Sequence, residues 1–131
     1  MKYWYYSSQL DNLVNNTELN DNNLQLVIDD IGRLFGKEMK LQLIENYPHC
    51  KLVRYENESF MVYKLNLYGN DYYFSDTSNI CQCNDKFKNK NTFICQHYIL
   101  FKLFKKLNKY EIKQVPLSEI NVLMMQKILN N

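Results

Sequence analysis

Cys81-Gln82-Cys83 and Cys95-Gln96-His97 stand eleven residues apart, so three of the four cysteines and one of the two histidines fall within seventeen residues. Thiolates and an imidazole nitrogen are the donors that a borderline-soft divalent ion prefers, and a Cys₃His set is a closed tetrahedral shell for structural zinc. The spacing is CxC and CxH rather than CxxC and HxxxH. It predicts that Cys81 and Cys83 leave a strand through a tight turn, while Cys95 and His97 open a helix. The N-terminus of that helix would favour thiolate charge.

Other chemistries fit these residues less well. A direct disulfide within CxC is strained, and no secretory signal places the chain in an oxidising compartment. A Cys95–His97 nucleophilic dyad would need an orienting partner. A catalytic metal needs a vacant position and a nearby general base, and four protein donors leave no vacancy. The three glycines, Gly32, Gly36 and Gly69, are isolated, so no phosphate-binding glycine-rich loop is present. The expectation is one structural zinc on Cys81, Cys83, Cys95 and His97, and no enzyme. His49 and Cys50 follow Pro48 and read as a surface histidine beside a buried thiol, outside the shell.

Two further patterns bear on partners. Behind His97, Ile99, Leu100, Leu103, Phe104 and Leu107 share one helical face, and Lys102, Lys105, Lys106 and Lys109 share another. With Lys86, Lys88 and Lys90 they are the candidate DNA contacts, a surface for a phosphate backbone or simply a solvated face. Ile120, Val122, Leu123, Met124, Met125, Ile128 and Leu129 cover more than one face of a last helix. Some of them must be core. Leu123, Met124, Met125 and Ile128 are the candidate contacts for a protein partner.

The elements that hold these residues read as α+β in one domain, 1–131. Residues 7–23 are polar and Asn-rich, a mobile segment or a weak helix, so 1–23 is set apart from the folded body. Leu24, Val27, Ile28, Ile31, Leu34 and Phe35 recur at helical spacing, with Asp21 or Asn22 as cap and Gly36 as stop. A shorter helix, Lys37 to Glu45, ends before Pro48. Lys51–Glu56, Ser59–Asn66 and Asp71–Ser75 then predict a three-stranded antiparallel meander, with Gly69 in the second turn. The metal motif, the helix behind His97 and a final helix capped by Ser118 complete the chain.

Apolar residues make up 46% and charged residues 23%, a globular balance rather than a disordered one. No apolar run approaches the ~18–20 residues of a membrane helix. The N-terminal Met1-Lys2-Tyr3-Trp4 lacks the pattern of a signal peptide, which predicts a soluble, intracellular protein with no membrane association. Charge is uneven: residues 1–80 carry 7 Lys/Arg against 11 Asp/Glu, a net −4, and residues 81–131 carry 9 against 3, a net +6. The C-terminal half is therefore the one that could face a polyanion.

CxC…CxH behind strands and opening an apolar helix resembles the SWIM zinc-finger module, here spanning about residues 71–110. Its order narrows the likeness. An N-terminal helix ending near Leu34-Phe35-Gly36, then strands, motif, helix and a Ser118 helix resemble the SWIM-containing subunit of the Shu complex over residues 24–130. The resemblance implies a nuclear, non-enzymatic adaptor that pairs with a RecA-like recombinase paralogue. It would promote recombinase filament assembly in homologous recombination repair, reaching DNA through the complex. Cys81, Cys83, Cys95 and His97 match the family's zinc ligands. Leu100 stands where members often carry Ala, Gln96 where they often carry Lys, and Phe87 is offset by one from an aromatic of the pattern. An independent SWIM-type nucleic-acid-binding module, as in transposases or transcription regulators, is the alternative.

Overall fold

The computed structural model describes residues 2–15, 18–76, 81, 83 and 94–130, with side chains for 5–15, 18–76, 81, 83 and 94–126. The architecture is α+β: α1 (Lys2–Asn15), α2 (Leu24–Phe35), α3 (Lys37–Asn46), β1 (Cys50–Glu56), β2 (Met61–Leu67), β3 (Asn70–Phe74), α4 (Gln96–Lys106), β4 (Glu111–Gln114) and α5 (Leu117–Asn130). A single 3₁₀ turn, Tyr47–His49, carries Pro48 between α3 and β1.

β1, β2 and β3 form the expected antiparallel meander, with Leu52 opposite Leu65 and Leu65 opposite Tyr72. The turn between β2 and β3 holds Tyr68 and Gly69 at φ 52° and 82°, and the second of these is the left-handed position that glycine occupies without a Cβ clash. The sheet has a fourth strand that the sequence pattern does not announce. β4 adds to the far side of β1, in parallel, to give the order β3-β2-β1-β4.

Strand alternation sends side chains to two different cores. Leu52, Tyr63, Leu65, Leu67 and Phe74 point to the face covered by α1–α4, where the larger core lies. Val53, Tyr55 and Val62 point to the opposite face and meet Ile120 of α5, with Leu123 and Met124 packed around them. The sheet is therefore the middle of three layers. α4 is buried along most of its length, from Gln96 to Phe101 and again at Leu103 and Phe104, because helices and sheet enclose it on more than one side.

Of the two readings of the polar opening, the helix is the one that forms: α1 buries Leu10 and Val14, at i and i+4, in the main core. Three local expectations need correction. The N-cap position of α2 is Asn23, not Asp21 or Asn22; its side-chain oxygen bonds back to the Asn20 amide, while the Asn20 side chain accepts from the amides of Asn22 and Asn23. α5 starts at Leu117, and the Pro116 carbonyl accepts from the amides of Glu119 and Ile120, which leaves Ser118 inside the first turn. β3 ends at Phe74, so the CxC pair does not leave the strand directly.

Candidate metal centre

Cys95 and His97 are placed by the start of α4. Cys95 is its N-cap residue, extended at φ −109° and ψ 168°, and its carbonyl accepts from the Ile99 amide. The helical turn begun there carries His97 back over Cys95. Their spacing of two, unusual for a helical pair, works because one residue lies outside the helix and the other inside it.

The four donors of Cys81, Cys83, Cys95 and His97 lie within 4.8 Å of one another. His97 Nδ1 stands 3.3 Å from Cys83 Sγ, 3.6 Å from Cys95 Sγ and 4.0 Å from Cys81 Sγ. Around a tetrahedral ion with M–S of about 2.3 Å and M–N of about 2.05 Å, the N···S separation is about 3.6 Å. The three observed distances bracket that value. The residues present fit a metal ion, with Nδ1 as the nitrogen that faces the thiols.

Three of the four donors are buried, and Cys83 is half-buried. Cys81 and Cys95 are both 0% exposed and His97 is 4% exposed. In the absence of an ion such a group of thiols resists ionisation. A hydrogen bond with Cys83, together with burial, pushes Cys81 up to about 12. Burial pushes Cys95 well above the usual thiol range, with its two thiol neighbours adding to the effect. A cation among them reverses this preference, because it supplies the counter-charge that buried thiolates otherwise lack.

Two supporting residues are not evident from the motif. Tyr72 of β3 stacks on the His97 imidazole at a centroid distance of 3.7 Å and 16° between planes. Gln96, between the last two donors, is buried, and its side-chain oxygen accepts a hydrogen bond from the side-chain Nδ2 of Asn46 on α3. Gln96 therefore ties the ligand turn to the helical layer instead of facing a solvent-side partner. Tyr72 could have been found from the alternation that puts it on the same face as Phe74. Asn46 left no signal, since its partner is fifty residues away.

The lysines divide. Lys102, Lys105 and Lys109 make ion pairs with Asp11, Asp76 and Asp21 at 2.9, 2.8 and 2.6 Å. Lys106 is exposed. Lys86, Lys88 and Lys90 lie outside the described residues, as does Phe87. On α5, Leu123 and Met124 turn toward the sheet, whereas Met125 and the neighbouring Val122 are 54% and 58% exposed. The side chain of Ile128 lies outside those described. Cys50 is half-buried at the start of β1 and is not among the donors brought together; burial pushes its thiol up to about 12. His49 is exposed and packs near the Tyr68 ring.

No helix among the described residues is long and apolar enough to cross a membrane. No family model, curated protein or solved structure matches the chain.

Proposed function

We propose that the chain is a non-enzymatic adaptor whose fold is completed by one structural zinc ion. The observation that carries this reading is the cluster of Cys81, Cys83, Cys95 and His97, three of them buried, that gathers at the first turn of the central helix. Three thiolates and one imidazole in a tetrahedral arrangement suit zinc, and a full four-residue shell leaves no position for substrate. The ion then works as a cross-link between the 81–83 segment and the start of α4.

The adaptor part of the reading rests on what surrounds that centre. Ion pairs to aspartates neutralise Lys102, Lys105 and Lys109, which weakens the C-terminal half as an independent DNA face. Val122 and Met125 instead offer apolar surface on α5, set on a helix whose other side is fixed to the sheet. This surface suits a protein partner. Its class follows from the likeness to the SWIM subunit of a Shu-type complex: a RecA-like recombinase paralogue, with DNA reached through the complex in the nucleus.

Purification of the tagged full chain from native extract should recover a RecA-like ATPase paralogue in stoichiometric amount. Val122→Asp with Met125→Asp should release it while zinc content stays at one per chain. Tight, sequence-specific DNA binding by the isolated chain at physiological salt would overturn the adaptor reading in favour of an independent nucleic-acid-binding module.

A further inference from the structure

β4 is exposed at all four of its residues, Glu111, Ile112, Lys113 and Gln114, with Ile112 51% exposed. It pairs with β1 on one side and, among the described residues, with no strand on the other. We propose that this edge is the contact for a second copy of the same chain, joined antiparallel about a two-fold axis at Ile112 to make one continuous eight-stranded sheet.

The phase of the strand selects that arrangement. The Val115 amide donates to the Glu56 carbonyl of β1 at 3.0 Å. In a parallel ladder the groups of alternate residues turn to the same neighbour. Lys113 and Glu111 therefore direct their amides and carbonyls to β1, and Ile112 and Gln114 direct theirs to the open edge. An antiparallel partner must set outward residues opposite outward residues. Four short registers satisfy this in a two-fold pair. One places Lys113 opposite Lys113, two place Glu111 opposite Glu111 or Gln114 opposite Gln114, and the last places Ile112 opposite Ile112. Only the last sets Glu111 opposite Lys113 of the other copy, and it does so twice.

In that register Ile112 exchanges both of its outward hydrogen bonds with its twin. The two Glu111–Lys113 pairs fall at the closely spaced, non-hydrogen-bonded positions, where cross-strand charges interact most. A lysine on an edge strand ordinarily repels a second edge. Here the glutamate two residues earlier converts it into a self-complementary one. The inference is independent of the adaptor reading, since it uses neither the α5 surface of Val122 and Met125 nor a metal donor.

The test is the association state of the zinc-loaded full chain by sedimentation velocity across concentration. Wild type should show a reversible dimer. Glu111→Lys and Lys113→Glu should each weaken it by about tenfold or more, because two attractive pairs become repulsive. An equimolar mixture of the two variants should recover a heterodimer, and the Glu111→Lys, Lys113→Glu double variant should recover a homodimer. Ile112→Pro removes an outward amide without touching the β1 ladder and should leave a monomer with unchanged circular dichroism. A wild-type chain that stays monomeric throughout, or a dimer that ignores both charge reversals and Ile112→Pro, would overturn the proposal.

Discussion

Removing the ion is the perturbation whose size can be worked out most directly. The four donors come in two pairs, 81/83 and 95/97, and the shell exists only when the fold brings the pairs together, so zinc would bind the native state in preference to the unfolded one. Its contribution by mass action is about 2.7 kcal/mol at a free concentration a hundred times Kd and about 4.1 kcal/mol at a thousand times. An unfolding entropy of ~2.1 cal/mol/K per residue over 131 residues gives roughly 275 cal/mol/K. Chelation should therefore lower Tm by about 10–15 °C. The assay is thermal unfolding followed by circular dichroism in zinc buffers of fixed free concentration, with metal counted by native mass spectrometry. Cys81→Ser should abolish the zinc dependence, and Cys50→Ser should leave it intact. Acid should act in the same direction. With Cys81 pushed up to about 12 and Cys95 well above the usual thiol range, both are protonated in the metal-free protein at neutral pH. Binding releases both protons, so apparent affinity should fall by about a hundredfold for each unit the pH is lowered, from these two groups alone. A Tm indifferent to zinc in a folded chain, or a stoichiometry other than one, would refute the reasoning.

Tyr72→Ala removes the ring stacked on His97 and should weaken zinc affinity by about 10–100-fold with the donors intact, read by competition with a chromophoric chelator. Asn46→Leu leaves the buried Gln96 side chain without its α3 donor and should cost about 1–3 kcal/mol in urea unfolding, more than an exposed Asn-to-Leu change would. Lys102→Glu with Lys105→Glu sets like charges against Asp11 and Asp76; it should destabilise the fold while sparing zinc content and the partner complex, checked by unfolding and pull-down together. Cys50 holds its proton more tightly when folded than when unfolded. Its contribution to stability should be complete below pH 9 and decline as pH rises from 9 toward 12, and its alkylation in the native state should be slow against that of the unfolded chain.

The sequence singled out the four candidate metal donors, because CxC and CxH are local patterns and cysteine is too rare for the cluster to be incidental. It determined α2 and the meander as well, through apolar recurrence at helical spacing in 24–35 and alternation in β1–β3 that needs no distant partner to be seen. The remaining features depend on contacts between distant segments. The order of α1 depends on Leu10 and Val14 finding a core built by later helices. β4 carries no periodic signal in Glu111-Ile112-Lys113-Gln114, and exists because backbone groups on the open side of β1 accept it. The basic face of α4 was legible as charge, but its pairing with Asp11, Asp21 and Asp76 was not, since those residues lie between twenty-nine and ninety-one positions away along the chain. The last helix showed a wide apolar surface, and only the second face of the sheet decides that Leu123 and Met124 pack inward while Val122 and Met125 remain outside. In each case the physical reason is the same: propensity and spacing act between near neighbours, whereas burial and ion pairing are settled by which segments share space after the chain has closed on itself.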